Sequence, residues 1–349
     1  MSLLIINHHY FRSKKSKQGI YPITPEELEL EIKTLIKKGW FIGSQNDLLN
    51  MNKRNLKNNY KLAIITFDDG LREQFNAAKQ LRSINIYPIF FVPTLPYTDD
   101  KVLFVHKLHM IRAHISDSEL LRELEKKFNL SNIKFDDEVL KIQYRYDDEI
   151  SRRIKYFLNF IIDIDKRNDW LTTFFTSRFG EEKKIVRQIY FSKDELRFLA
   201  GKNQLGSHSH SHLPLSSLDE NMIREELQHS RQILTDITGS KLNGISYPYG
   251  GKSSVNDKVY NLAQKCGYKY GVTMKRGINE SKTNKNIFCL NRIDVNDLTH
   301  VIHYALPDDP FYYTHRSGRT ARAGKKGISL SILTNRDMRK LDGLEKALK

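Results

Sequence analysis

The chain has 349 residues, 39% of them hydrophobic, with a formal net charge of +16 and a mean hydropathy of −0.54. That is enough chain for one large α/β domain with appendages. No apolar run approaches the roughly 20 residues of a membrane span, and two cysteines, Cys266 and Cys289, make no disulfide framework. The start, Met1–His9, has no basic leader and only a short apolar stretch, so it reads as a first strand rather than a signal peptide, and a cytoplasmic location is expected. Charge of this size invites a nucleic-acid reading, but its distribution is uneven. From His315 to the end stand ten basic residues against three acidic ones, a net +7 from the last 35 residues.

Strand-like runs alternate with helix-like runs. Strands are predicted at Leu3–Ile6, Leu62–Thr66, Ile86–Val92, Leu205–Ser207, Gly244–Tyr247, Tyr268–Met274 and Ile287–Ile293. Thr24-Pro25-Glu26-Glu27 supplies a cap, a first-turn proline and two acids, and so starts a helix that runs to about Lys38 and stops at Gly39. Leu71–Ser83, Lys193–Ala200, Asp219–Ile237 and Ser254–Cys266 read as further helices. Between Tyr97 and Tyr190 the strand signal gives way to helical periodicity, as in Glu119–Phe128 and Glu149–Ile164. This segment, residues 97–190, reads as a helical insertion. Its aromatics (Phe128, Tyr144, Tyr146, Phe157, Phe160, Trp170, Phe174, Phe175) are expected to form its own small core, and His106, His109 and His114 to be ordinary surface or core residues. The alternation predicts a mostly parallel sheet or barrel with its site at the strand C-terminal ends.

Two groups at such ends carry chemistry. The apolar run Ala63–Phe67 ends in Asp68-Asp69-Gly70, and adjacent carboxylates there repel each other and are costly to desolvate. Far downstream, Gly206-Ser207-His208-Ser209-His210-Ser211-His212 places His208 and His212 four residues apart. On a helical turn that spacing presents both imidazoles to one metal. Two histidines and one carboxylate leave positions open for water and substrate, the pattern of a hydrolytic site. A second carboxylate, off the metal, is then free to take a proton from water; Asp68 and Asp69 can supply one of each. His210 alternates with the pair and is expected behind the ligands or facing solvent.

Thr66-Phe67-Asp68-Asp69-Gly70, His208-Ser209-x-x-His212 and the turn Ser246-Tyr247-Pro248-Tyr249-Gly250 together resemble three motifs of the polysaccharide deacetylases of carbohydrate esterase family 4, the NodB homology domain. The resemblance spans roughly Leu3 to Val295. It implies a distorted (β/α) barrel, here with the helical insertion as an extra. It implies that Asp68 is the general base and that Asp69, His208 and His212 hold a divalent metal, usually zinc. The backbone N–H of Tyr249 would be the oxyanion donor, with Tyr247, Pro248 and Tyr249 at the sugar groove. The family's third-motif arginine is Ser246 here, and Arg292 on the last predicted strand is the candidate substitute. The family's late Leu-His element has only Ile302-His303 as a counterpart. Asn7-His8-His9-Tyr10, at the first strand end, is expected to border the site.

After Arg292 the character changes. Ile293-Asp294-Val295 and His315-Arg316-Ser317-Gly318-Arg319-Thr320-Ala321-Arg322 resemble the end of a DEAD-box RNA helicase, in which the arginines matching Arg319 and Arg322 reach ATP phosphates. The chain has no Walker A loop, since Ser246 stands where the look-alike ending in Gly251-Lys252-Ser253 needs its first glycine. Residues 1–296 are therefore expected to be the deacetylase-like domain, and 297–349 a chimeric RecA-like helicase fragment, with a strand over Gly327–Leu333 and a helix over Arg336–Lys349. The expected function is metal-dependent removal of an acetyl group from an N-acetylated sugar or polysaccharide precursor, a hydrolysis of a carbon–nitrogen bond other than a peptide bond. The competing readings are an RNA-binding protein acting through the basic tail, and a catalytically dead carbohydrate-binding relative.

Overall fold

The computed structural model describes residues 1–13, 22–51, 60–130, 133, 149–280, 286–294, 300–303, 328–331 and 341. Two strands open the chain, β1 (Ser2–His8) and β2 (Phe41–Gly43), followed by β3 (Lys61–Phe67), β4 (Ile89–Val92), β5 (Leu205–Ser207), β6 (Gly244–Ser246), β7 (Tyr270–Arg276), β8 (Asn279–Glu280) and β9 (Leu290–Asp294). Strands β1, β3, β4, β5, β6, β7 and β9 pair in parallel in that order, and β9 returns to β1. The result is a closed seven-stranded barrel. Two short strands that the sequence pattern did not mark lie beside it: β2 extends β3 in parallel, and β8 pairs antiparallel with β1.

A parallel barrel wrapped by helices buries both faces of its strands, so they read as apolar runs. Period two still decides which side chains meet. Leu3 and Ile5, Leu62 and Ile64, Ile89 and Phe91, Tyr270 and Val272, and Leu290 form one buried cluster. The same parity continues upward to Asn7, Thr66, Asp68 and Arg292, all buried. The row of side chains that is apolar at the bottom of the barrel thus turns polar at the C-terminal ends of the strands. Gly244 makes room for this packing: a Cβ there would lie 2.2 Å from Cζ of Tyr270, its partner across the β6–β7 ladder.

The predicted helix signals are present. Helix Pro25–Lys37 starts in a capping box of Thr24 and Glu27, and helix Lys193–Gly201 in one of Ser192 and Glu195. Helix Glu220–Thr238 is capped by the Asp219 side chain and ends at Gly239 with φ 69°.

The insertion is narrower as a separate unit than its sequence suggests. Residues up to Lys107 and from Phe174 pack with the barrel, and the helical unit proper covers 108–173. Within the barrel unit, Lys107 Nζ lies 2.9 Å from Glu182 Oε1, and Glu182 Oε2 accepts the Val102 N–H at 2.7 Å. Within the helical unit, helices Asp117–Phe128 and Glu149–Tyr156 pack together; Leu120, Leu121, Leu124 and Ile154 are buried, and Phe128 meets Trp170 edge to face. Of the aromatics expected in this small core, Phe157 and Trp170 are buried in the helical unit, whereas Phe174 and Phe175 belong to the barrel unit; Tyr144 and Tyr146 and the side chain of Phe160 lie outside the described residues.

Beyond β9, strands β10 (His300–His303) and β11 (Ile328–Ser331) pair in parallel as a separate two-stranded sheet. β11 is the strand predicted over Gly327–Leu333. The helix predicted over Arg336–Lys349 lies, except for Leu341, outside the described residues.

Candidate active site

At the end of β3 the backbone turns left-handed twice, at Asp69 (φ 79°) and Gly70 (φ 64°). Aspartate tolerates this region better than most residues, and glycine enters it freely. Gly70 also sits against Val92, whose Cγ1 would be 2.9 Å from an added Cβ. This turn gives the two carboxylates different surroundings. Asp68 continues the inward row of β3 into the barrel mouth, while Asp69 meets histidines.

Asp68 is clamped by Arg292. The guanidinium donates from Nη1 to Oδ1 at 2.9 Å and from Nη2 to Oδ2 at 2.7 Å, a bidentate pair fully sequestered from solvent on the arginine side. Asn7 Nδ2 and the Ser246 hydroxyl also donate to Oδ2, at 3.2 and 3.1 Å. Arg292 is itself fixed by bonds to Thr273 O (2.9 Å), Asn7 Oδ1 (2.8 Å) and Ser246 Oγ (2.9 Å). Burial alone would raise the Asp68 pKa, but the Arg292 charge, then His208, the Arg292 hydrogen bonds and His9 outweigh it and hold the carboxyl below its usual value. The structure thus brings Arg292 from β9 and Ser246 from β6 onto the same carboxylate.

Asp69 faces imidazoles. Its Oδ1 lies 3.5 Å from His208 Nε2 and 3.4 Å from His212 Nε2, and ligating atoms of these three residues all lie within 4.8 Å of one another. The two rings are 4.9 Å apart. The helical turn expected for this pair is absent. His208 and His212 sit in the loop after β5, and left-handed residues at Ser209 (φ 61°) and His212 (φ 60°) fold it so that both rings converge. Glu226 holds the loop by accepting the N–H groups of His210 and Ser211, each at 2.9 Å. His210 bonds Thr94 Oγ1 through Nδ1 at 2.8 Å and stacks on His229, away from the other two rings.

The donor set fits a cation. Asp69 Oδ1 is buried without a hydrogen-bond partner among the described residues, a costly state for a carboxylate oxygen unless something positive meets it. His208 Nδ1 lies 2.7 Å from the Ser246 carbonyl, which can only accept. The ring proton is therefore on Nδ1, and the Nε2 lone pair points at Asp69. Burial alone would raise the Asp69 carboxyl, but the imidazoles of His106, His208 and His212 around it outweigh that and hold it well below its usual range.

The aromatic turn departs from expectation in part. Tyr247 does not line a groove: its side chain is fully buried, its hydroxyl donates to Phe288 O at 3.1 Å, and its ring packs on Tyr260. Strand alternation explains the correction, because Ser246 points into the site and its neighbour must point into the helix layer. Pro248 is buried as well. Tyr249 alone of the three presents its side chain, 48% exposed, with φ 59° and its ring 5.0 Å from that of His212.

At the first strand end Asn7 joins the Asp68 network, whereas His8 points elsewhere, to Glu31 Oε1 at 3.1 Å and against Phe67. His106, expected to be ordinary, is in the site: it is buried, with Nε2 3.4 Å from Asp69 Oδ2. Its sequence context, Phe104-Val105-His106-Lys107, carries no metal-site spacing that reaches His208, so only the folded chain reveals it. Ile302-His303 belongs to β10, whose one strand partner among the described residues is β11.

Comparison with known proteins gives two separate matches. Residues 135–271 match the family model described as polysaccharide deacetylase, and residues 291–324 match the helicase conserved C-terminal domain. The first span contains His208, His212 and Tyr249 but begins after the aspartate pair; the second begins inside β9 and contains Arg292. The chain is similar in fold to the Streptococcus pyogenes deacetylase PplD (14% identity, 84% of this chain and 92% of that one, TM-score 0.51). It is similar also to a de-N-acetylase from Aggregatibacter actinomycetemcomitans (13% identity, 84% and 95%, TM-score 0.51). Its C-terminal part is 57% identical over 49 residues to the DEAD-box ATP-dependent RNA helicase CshC of Bacillus cereus, and 48% identical over 54 residues to CshB of Listeria monocytogenes. Those alignments cover 14% and 16% of this chain and only 13% and 12% of the helicases. The chain thus matches a polysaccharide deacetylase model over residues 135–271 and helicase C-terminal sequence over a short stretch after it.

Proposed function

We propose that the barrel hydrolyses the acetyl group of an N-acetylated sugar or polysaccharide precursor, with Asp68 as general base and Asp69, His208 and His212 as holders of a divalent metal, zinc in the first instance. The observation that carries this reading is the separation of the two adjacent carboxylates: Asp68 is locked to Arg292, and Asp69 Oδ1 is left unpartnered before two imidazoles. A cation bound there supplies Lewis-acid polarisation of the acyl carbonyl and lowers the pKa of a water.

The chain's own residues do the rest. Asp68 stays ionised at neutral pH although burial would raise its pKa, because the Arg292 charge beside it outweighs that effect. Its Oδ2 is occupied by three donors, whereas Oδ1 accepts one bond, so Oδ1 is the atom left to receive a proton. Arg292, Asn7 and Ser246 fix the direction of that lone pair. The N–H of Tyr249, held in a left-handed turn, is the oxyanion donor in this scheme, and its exposed ring flanks the sugar. An O-acetyl ester would meet the same groups; amide hydrolysis is distinguished by the amine it frees. The test is acetate and free-amine release from a panel of acetylated sugars by the purified chain and by Asp68→Asn. The reading expects paired release from at least one N-acetylated substrate and its loss in the variant. Release that survives Asp68→Asn refutes the role of the base.

A further inference from the structure

The barrel-side roots of the insertion are tied to the aspartate turn. Phe191 N–H donates to Gly70 O at 3.0 Å, Arg72 N–H donates to Ile189 O at 2.7 Å, and Leu71 and Tyr190 form an antiparallel bridge. His106 enters from the other root, on the helix Phe104–His114. It is 2% exposed, and its Nδ1 lies 2.6 Å from the Tyr190 hydroxyl. That hydroxyl oxygen already accepts the Leu103 N–H at 3.1 Å. A phenol has one proton to give, and among the described residues the acceptor beside it is His106 Nδ1. The ring proton of His106 therefore stands on Nε2, which faces Asp69 Oδ2 at 3.4 Å.

This is the reverse of His208. There a carbonyl fixes the proton on Nδ1 and leaves Nε2 its lone pair. A ring nitrogen that carries a proton cannot ligate a metal, but it can donate to a carboxylate. The positions agree with the assignment: the group of ligand atoms within 4.8 Å of one another contains Asp69, His208 and His212 and does not include His106. His106 Nε2 is buried without a hydrogen-bond partner among the described residues, and the acceptor it faces is Asp69 Oδ2 at 3.4 Å.

We infer that His106, set in its tautomer by Tyr190, is a positioning residue for Asp69: its Nε2–H takes Oδ2 and leaves Oδ1 as the single carboxylate oxygen facing the cation site. The inference rests on the metal reading of that site. It also gives the insertion a task, since both of its roots deliver a member of the Tyr190–His106–Asp69 chain. A hydrogen-bonded partner behind a ligating side chain typically changes metal affinity by about 10–100-fold.

The test is Zn2+ affinity, measured by competition with a chelating dye, for the full chain and for His106→Ala, His106→Gln, Tyr190→Phe and His208→Ala, with thermal unfolding of each apo protein alongside. The wild-type chain must bind one Zn2+; failure there overturns the metal reading itself and is distinguishable from any result on the His106 variants. Given wild-type binding, His106→Ala is expected to bind one ion about 10–100-fold more weakly, with Tyr190→Phe weakened less. His106→Gln, which keeps an N–H donor, is expected to recover part of the loss. A merely structural residue would lower the apo unfolding temperature without changing the affinity of the folded fraction, and that result overturns the inference. So does wild-type affinity in folded His106→Ala. Complete loss of the ion, as expected for His208→Ala, would make His106 a ligand and also overturn it. If the alanine variant does not fold, 15N NMR of the wild-type ring decides: a proton on Nε2 supports the assignment, and a proton on Nδ1 rejects it.

Discussion

Replacing Arg292 by methionine removes the cation from the hydrogen-bond network that holds Asp68. The guanidinium has no exposed surface and donates to both oxygens of Asp68, to Asn7 Oδ1, to Thr273 O and to Ser246 Oγ, all at 2.7–2.9 Å. Methionine fills much of the volume and none of these bonds. Breaking a buried ion pair from one side costs about 3–5 kcal/mol, chiefly because the other charge is left buried. The acceptors Asn7 Oδ1 and Thr273 O add to that, though such costs are not additive. Arg292→Met is therefore expected to lower stability by roughly 4 kcal/mol, read by urea unfolding. Adding Asp68→Asn removes the stranded charge, so the double variant should be no less stable than Arg292→Met alone.

The pH dependence has a definite sign. The folded-state pKa of Asp68 is depressed, so the stability it contributes is complete above the unfolded carboxylate value of about 3.9 and is lost as pH falls through the lower folded value. Arg292→Met should therefore lose its disadvantage toward the acid limit. A cost under about 1 kcal/mol, or costs of the two substitutions that simply add, would make the pair an incidental contact.

Four other perturbations have definite expected outcomes. Asp68→Asn should reduce acetate release by about 10²–10⁴-fold while leaving one metal ion bound, checked by elemental analysis; loss of the ion would place Asp68 among the ligands. Burial pulls the His208 pKa down, but Asp68 and Asp69 raise it more, to a net value above the ordinary 6.5. Protons must then compete with metal as pH falls through that raised value, and Zn2+ affinity that is flat between about pH 8 and about pH 5.5 would contradict this. Gly244→Ala puts a Cβ 2.2 Å from the Tyr270 ring, whose hydroxyl is held by Gln45 Oε1 at 2.7 Å, and should cost about 1–3 kcal/mol in urea unfolding; a neutral result would show that the ring moves freely. Removing residues 297–349 should leave acetate release unchanged, because β9 and Arg292 stay in place, and a drop in release would give the helicase-like segment a part in the barrel's work.

Much of the barrel was legible because period-two patterning and local caps are written within a few residues of where they act. The Thr24–Glu27 capping box and the strand Leu205–Ser207 needed no tertiary information. The Asp68-Asp69 turn was legible for a related reason: two carboxylates after a buried apolar run demand partners, and the partners were identifiable by type. What failed depends on direction in space. Tyr247 belongs to a motif that reads as a sugar platform, yet alternation on β6 commits it to the core once Ser246 faces Asp68. The His208/His212 spacing suggested a helical turn, whereas two left-handed residues accomplish the convergence. His106 has no local signature, because its partner Tyr190 is 84 residues away and Asp69 is reached only when both roots of the insertion fold onto the same turn. Arg292, by contrast, was legible as the substitute arginine although it lies where helicase-like sequence begins, and the pairing of β9 with β1 and β7 makes that strand an integral part of the barrel.

In the proposed function, deacetylation depends on a metal held by Asp69, His208 and His212. Titrating Zn2+ into the chelator-stripped chain while recording acetate release from an N-acetylated oligosaccharide tests it most directly. The account predicts release that is absent in the stripped protein, grows in proportion to added metal and levels off at one equivalent per chain. Undiminished release from the stripped protein, or one bound equivalent with no release from any acetylated sugar, would contradict it.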